Sequence, residues 1–398
     1  MGKVIKTPQE MFKHLEHWQP VHRIYPAKEL LDSKNKLFPL FSYLYDKLKE
    51  LYSHLPLRRN GEAPFIHPIN SVLNLRRAKI EDAVTICAGL THDYLEEVVD
   101  LYKLEHKIKE DKKGIKILDN YEEQVAANFE KELIAFCLRK DLDQQAAKEI
   151  IALTRLLTRH KRDFYYSSIS GIFHTADRNL KEKAIQIKLA DRTHNILCIE
   201  SFSEQERNYQ CFKNIFILNN AKKFIIDNYG ISSVSYHDKV YDGSFNCTER
   251  LFNKCCKATY DAFLTICLLC GDKFSREPRR MLQMAFKKFA FEVGGLDAIT
   301  KSQGKILHPM RLYYGVVQKY DTRLHQEWQK FEGILREERV YCQRFFSAYK
   351  PSHPQIQAMI DYKDAYSLKE VVAHLLYQPD YFVQGFLFSQ LSKQGRLR

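Results

Sequence analysis

An all-helical fold is predicted, a helical bundle followed by a second helical domain. Three observations carry it. Apolar residues recur at three- and four-residue spacing over long segments, the period of an amphipathic helix. Helix breakers are scarce, with 15 Gly and 12 Pro in 398 residues. No run alternates apolar and polar residues as a half-buried strand would, and no internal repeat is present.

Taken in order, LFPLFSYLYDKLKELYSHL (37–55) reads as a strong amphipathic helix. The loop RRNGEAPF follows, then a helix opening at His67-Pro68. A single helix is expected over 80–99, with Glu81 and Asp82 in its first turn, where acids complement the helix dipole. Residues 100–118 are charged and weakly periodic and read as an excursion; within them Lys107 to Lys116 alternates with acids, as a solvated loop does. Helices are expected from about 121 to 157, SGIFHTADRNL (170–180) reads as loop, and helices follow over 181–199 and 204–229. Gly, Ser and Asp cluster over 230–248, which marks a linker. Beyond it the chain is helical again, with breaks at Gly294-Gly295 and Pro351 to Pro354. The expected organisation is an N-terminal extension (1–34), a first domain (35–230), a linker (231–247) and a helical C-terminal domain (248–398). A length of 398 residues fits two cores better than one.

Hydrophobic residues make up 45% and charged residues 28%, a globular balance. The formal charge of +13 favours an anionic partner. The first residues, MGKVIKTPQE, lack the apolar core of a secretory signal, and Lys6 stands where a myristoylation pattern needs Ser or Thr. No run is long and apolar enough to span a bilayer. A cytoplasmic protein with reduced thiols is expected, with no membrane partner. Cys267 and Cys270 have zinc-type spacing, but they lie in the apolar run AFLTICLLC and read as buried helix residues. No phosphate-binding glycine loop of the Walker type appears.

Chemistry concentrates in four segments: RRNGEAPFIHP (58–68), LTHDYLEEV (90–98), LTRLLTRHKRDFYY (153–166) and IKLADRTHNI (187–196). His92 and Asp93 are adjacent, and both can reach one ion beside a helix. Glu96 stands four residues after His92 and Glu97 four after Asp93, so two carboxylates lie one turn away, placed to orient a water and move its proton. Asp191 and Asn195 share the same spacing, and His67 opens another helix with a second imidazole. Two His and two Asp form a mixed nitrogen and oxygen set, suited to Mn²⁺, Fe²⁺ or Zn²⁺ rather than Mg²⁺. His194 reads as a packing or supporting residue. Arg155, Arg159, Lys161 and Arg162 are either phosphate guides or a solvated helix end. Tyr165 and Tyr166 read as core or rim.

The order H…HD…D resembles the HD superfamily of metal-dependent phosphohydrolases. The words RxNGxxxxIHP, HDxxEE and KLADRxHN resemble the hydrolase domain of RelA/SpoT-type alarmone enzymes and small alarmone hydrolases, over roughly residues 35–230. The resemblance implies an HD-domain helical bundle, with His67, His92, Asp93 and Asp191 as ligands of Mn²⁺ or another divalent transition metal. It implies Glu96 and Glu97 as the catalytic acids, Arg58 and Arg59 as nucleotide contacts, and Asn195 as a contact to the sugar side. The implied reaction removes pyrophosphate from the 3′ position of (p)ppGpp, a guanosine-based substrate. The chain departs from that pattern in having Glu97 where the family has Asp, in Leu197-Cys198 after Asn195-Ile196, and in the longer spacing from Asp93 to Asp191. Two other readings stand beside it: an HD phosphohydrolase acting on another nucleotide or phosphoester, and a non-catalytic metal-binding scaffold whose C-terminal domain binds a partner. The C-terminal half shows no nucleotidyl-transfer motif. Its aromatic helices, LQMAFKKFAF (282–291) among them, are expected to pack on the first domain or on a second copy, as a homo-oligomer, rather than bind nucleic acid.

Overall fold

A computed structural model describes residues 18–161, 165–202, 204–230 and 245–272, with scattered positions between 352 and 390. Among the described residues every regular element is helical and none is a strand, as the apolar spacing predicts. In chain order they are α1 (Ala27–Leu30), α2 (Phe38–Ser53), α3 (Ile66–Arg77), α4 (Ala83–Thr91), α5 (Tyr94–Glu105), α6 (Lys112–Arg139), α7 (Gln144–Leu157), α8 (Tyr165–His174), α9 (Arg178–Leu197), α10 (Glu204–Tyr229) and α11 (Cys247–Asp272).

Local sequence sets the helix ends. Four helices start on an aspartate whose carboxylate accepts from backbone N–H groups of the first turn: Asp82 for α4, Asp111 for α6, Asp143 for α7 and Asp177 for α9. Those N–H groups have no partner inside the helix, so each cap is worth about 1 kcal/mol. Along α2 the buried residues are Leu40, Phe41, Leu44, Tyr45, Leu48 and Tyr52, a single stripe at three- and four-residue spacing. In α4 all nine residues are buried.

Chain contacts divide the molecule into two units, one taking the described residues from 18 to 202 with 245–255 and 388–390, the other the rest. In the first unit α4 is the central rod, packed by α2, α3, α7 and α9. Helix α3 lies along α9, where Asn74 Nδ2 donates to the Ala190 carbonyl at 3.1 Å. Thr91 and Thr154 hydroxyls meet at 2.8 Å between α4 and α7. A side chain at Gly89 would meet Leu75 Cδ1 at 2.5 Å, so glycine lets α3 and α4 close at that level. The short 3₁₀ turn Phe388–Gln390 stacks the Phe388 ring 6.0 Å from Phe173 of α8. In the second unit Asn219 of α10 exchanges two hydrogen bonds with the Val383 backbone, and Asn214 donates to Thr259 of α11.

Three local expectations differ from the structure. The helix expected over 80–99 is two helices, α4 and α5, interrupted at His92-Asp93. Most of the charged excursion is helical: α5 runs on to Glu105 and α6 begins at Lys112, with a turn between them at Lys107, where φ is +50°. The stretch SGIFHTADRNL is loop only at its centre, since α8 extends to His174 and α9 starts at Arg178 on the Asp177 cap. Polar sequence hid these helices because their buried stripes are narrow; α6 rests on Leu118, Ala126, Phe129, Leu133 and Phe136. Among the described residues no helix is long and apolar enough to cross a membrane. The linker at 231–244, Gly294-Gly295, the segment 282–291 and Arg162 lie outside the described residues, as do the side chains of Tyr165, Tyr166, Cys267 and Cys270.

Candidate metal centre

Four of the sequence-predicted residues meet at one point. His67 is the second residue of α3, His92 and Asp93 form the break between α4 and α5, and Asp191 lies in α9. The break matters to their reach. With φ −101° and ψ 3°, Asp93 leaves the helical path, so its carboxylate turns back onto the imidazole of its neighbour. Asp93 Oδ2 stands 3.1 Å from His92 Nε2 and 3.2 Å from His67 Nε2. Asp191 Oδ1 stands 3.3 Å from His67 Nε2 and 4.0 Å from His92 Nε2. The two Nε2 atoms are themselves 3.2 Å apart. His67, His92 and Asp93 form the tightest group, each offering an atom within 4.8 Å of the others.

The far side of each imidazole has its own partner. His92 Nδ1 lies 2.8 Å from the Gly89 carbonyl, which only accepts, so Nδ1 carries a proton and donates. His67 Nδ1 lies 2.8 Å from His194 Nδ1. Burial, together with the nearby His67 and Arg58, holds His194 well below the ordinary histidine range. It is therefore neutral, and one of the two Nδ1 atoms donates to the other, while its Nε2 lies 3.7 Å from Cys198 Sγ. With His67 Nδ1 as that donor, both Nε2 lone pairs face one another and two carboxylates, a set of acceptors that only a shared proton or a cation reconciles. The proton answer is visible in the electrostatics. Burial opposes charge on His92, but Asp93 beside it outweighs burial and pushes its pKa up to about 9. The cation answer fits the spacing of three donors. The separations of 3.1–3.2 Å among His67, His92 and Asp93 are the edges of a coordination shell with bonds of about 2.0–2.2 Å, and Asp191, 3.3 Å from His67 and 4.0 Å from His92, stands beside them. The residues present fit a divalent transition metal.

Supporting groups surround the cluster. Lys188, one turn before Asp191, places Nζ 2.8 Å from its Oδ2. Burial would raise the Asp191 carboxyl, but Lys188, His67 and His92 hold it well below the usual carboxylate range. Asn195, one turn after, donates its Nδ2 to Asp191 Oδ1, so this residue braces the aspartate.

Glu96 and Glu97 open α5 and are half-buried. Arg159 Nε approaches Glu96 Oε1 at 3.5 Å. Burial raises Glu96, Arg159 draws it back, and Asp93 raises it further. Glu97 is pushed up to about 8 by burial, then by Asp93 and Glu96. Of the basic residues weighed as phosphate guides, Arg155 pairs with Glu123 at 2.9 Å and Lys161 with Asp100 at 2.7 Å, while Arg159 lies on the acid pair.

Arg58 and Arg59 sit on a tight turn. Arg58 and Glu62 close it through the Arg58 N–H to the Glu62 carbonyl, 2.9 Å, and Gly61 adopts φ +81°, which favours glycine. The exposed Arg59 guanidinium lies 5.4 Å from the Phe202 ring centre. One residue of this region went unnoticed in the sequence. Lys188 lies inside the segment IKLADRTHNI, three residues before Asp191, and helical spacing alone could have found it.

Comparison with known proteins gives one similarity. Over 150 residues, 38% of this chain, it is 27% identical to a protein of Mycoplasma pneumoniae described as a probable guanosine-3′,5′-bis(diphosphate) 3′-pyrophosphohydrolase. The matched part spans 17% of that protein's length. No family model matches the chain, and no solved structure does.

Proposed function

We propose that the first unit is a metal-dependent phosphohydrolase of the HD type, acting on a guanosine nucleotide of the (p)ppGpp class and releasing its 3′-pyrophosphate. The observation that carries this reading is the convergence of His67, His92 and Asp93, with Asp191 3.3 Å from His67 Nε2 and with the Gly89 carbonyl holding His92 in the metal-binding tautomer. The description of the M. pneumoniae relative supports the substrate class. On this reading the hydrolase domain, 35–230, takes its metal-holding core from the first unit and α10 from the second, and 248–398 forms a companion helical domain.

His67, His92, Asp93 and Asp191 would hold the ion, and Mn²⁺ suits their mixed donor set. When bound, such an ion supplies electrophilic polarisation of a phosphoryl oxygen. The remaining work falls to the chain. Arg58 and Arg59, on the turn before α3, bind the anionic groups and orient the nucleotide. Asn195 and Lys188 fix the direction of the Asp191 carboxylate. Glu96, raised by burial and drawn back by Arg159, is the acid that takes the proton of the attacking water. Glu97, raised to about 8, holds a proton at neutral pH and returns it to the departing oxygen.

The test is metal analysis of the purified full chain followed by incubation with ppGpp and Mn²⁺. About one metal per chain and release of GDP with pyrophosphate are expected. Arg58→Ala is expected to raise KM with kcat little changed, since it holds the anion in ground and transition state alike. Cleavage of another nucleotide with ppGpp left intact would overturn the substrate and leave the metal centre standing.

A further inference from the structure

The chain ahead of α1, residues 18–26, is tied onto the bundle by its backbone. Asn70 of α3 is fully buried and spends its amide on Val21, accepting from the Val21 N–H at 2.8 Å and donating to the Val21 carbonyl at 3.0 Å. Arg77 of α3 donates to the Gln19 carbonyl at 3.0 Å, and Tyr45 of α2 donates to the Tyr25 carbonyl at 2.8 Å. Trp18 is fully buried at the start of the stretch. These anchors lie on both sides of His22, so its backbone is placed before its side chain makes any contact.

The exposed imidazole of His22 meets Glu62, with Nδ1 against Oε1. A carboxylate only accepts, so that nitrogen carries a proton and donates. Asn60 donates its Nδ2 to the other oxygen, Oε2, at 2.6 Å, so both oxygens of Glu62 are taken. Glu62 is the one acid of the turn RRNGE (58–62), and its carbonyl closes that turn on the Arg58 N–H at 2.9 Å. That bond sets residues 58 and 62 side by side. An unheld Glu62 would there be an ion-pair partner for the Arg58 guanidinium and would compete with an incoming anion. Among the described residues the two side chains form no such pair; the acid is turned to His22 and Asn60 instead. We propose that His22 is a positioning residue of the substrate site, which holds the Glu62 carboxylate and so keeps the Arg58 guanidinium free for the phosphate-bearing substrate. The inference rests on the phosphohydrolase reading above, in which Arg58 binds the anion. It also makes residues 18–26 part of the working site, through the backbone bonds that aim His22.

Calorimetric titration of the full chain with inorganic pyrophosphate, in the presence of Mn²⁺, tests this. His22→Ala is expected to bind about 5-fold more weakly, the scale of one exposed ion pair formed by the released acid. His22→Asn, whose Nδ2 stands where the imidazole Nδ1 stood, is expected to recover most of the loss. Glu62→Gln removes the competing charge, so adding His22→Ala to it is expected to change the affinity no further. On ppGpp the same pattern is expected in KM, with kcat level. A loss that persists in the Glu62→Gln background would place His22 on the anion itself and overturn the positioning role. Equal pyrophosphate affinity in wild type and His22→Ala would overturn it too and leave the phosphohydrolase reading intact. If the wild-type chain binds neither pyrophosphate nor any nucleotide, both this inference and the reading beneath it fall.

Discussion

His194 never touches the proposed ion, yet the direction of His67 depends on it. The 2.8 Å contact between their Nδ1 atoms holds the His67 ring with its Nε2 on the cluster. Removing such a partner typically lowers metal affinity about 10- to 100-fold. His194→Ala is therefore expected to weaken Mn²⁺ binding by that factor in a competition with a chelating dye, with the full-length fold retained by circular dichroism. Unchanged affinity would mean His67 is held by packing alone. The acids differ from this. Glu96→Gln or Glu97→Gln keeps size and reach and removes the titratable proton, so the rate on ppGpp is expected to drop about 10²- to 10⁴-fold while metal content barely moves. Loss of metal in either variant would transfer that glutamate from the proton path to the coordination shell. At this scale the sequence was legible where spacing is regular: His67, His92, Asp93 and Asp191 come together as the four-block order implies. It was less so for orientation. The spacing places Asn195 one turn from Asp191, but nothing in a sequence tells that its Nδ2 donates to the Asp191 carboxylate; the sugar-side contact expected of it stays part of the proposal.

Between residues and fold stand the helix ends, and the one at His92-Asp93 is where pattern reading failed. Alternation of apolar residues continues from α4 through Leu95 and Val99, so the period sees one helix. Backbone geometry at Asp93 breaks it, and neither glycine nor proline marks the place. The Asp caps were missed as well: Asp82, expected in the first turn of a helix from residue 80, is the cap of α4, and Asp111 and Asp177 cap helices inside stretches expected as loop. Asp82 also belongs to an ion network that ties α4 to two other helices. Lys183 of α9 lies 2.9 Å from Asp82 and 2.7 Å from Glu149 of α7. Burial lowers the Lys183 value, but Glu149 and Asp82 outweigh it and the net shift is upward. Its contribution is then complete below the ordinary lysine value of 10.5 and lost as pH rises through the raised one. Asp82 runs the other way: burial raises it, Thr85 and Lys183 outweigh burial, and the net shift is downward. That contribution is present above 3.8 and lost as pH falls through the depressed value. Because Asp82 is half in water, Lys183→Met is expected to cost about 1–2 kcal/mol, not the larger value of a fully buried pair. The deficit should be flat across neutral pH in denaturant melts and shrink at both extremes. A deficit that grows toward acid would assign the stabilisation to other groups.

For the first unit as a whole, the proposed ion is a cross-link added to the packing, the hydrogen bonds and the Lys183 ion network that already join these helices. His67 opens α3, His92 and Asp93 join α4 to α5, and Asp191 lies in α9. A cation bound to all four ties the central rod to the helices on either side, and it answers two buried carboxylates at once. Binding to the folded state alone stabilises it by mass action, about 2.7 kcal/mol when free metal is 100 times its dissociation constant. For a unit near 200 residues that corresponds to about 5–10 °C in melting temperature. Mn²⁺ added to chelator-stripped protein is therefore expected to raise the melting temperature by that amount, and Mg²⁺ at the same concentration by much less, since imidazole donors suit it poorly. Asp93→Ala separates a cross-link from a general salt effect. The variant loses the carboxylate nearest both imidazoles, and its melting temperature should not respond to Mn²⁺ at all. Equal shifts in wild type and Asp93→Ala would show that the ion binds elsewhere, and the convergence of the four side chains would then be a buried proton-sharing cluster, with His92 as the group that carries the proton.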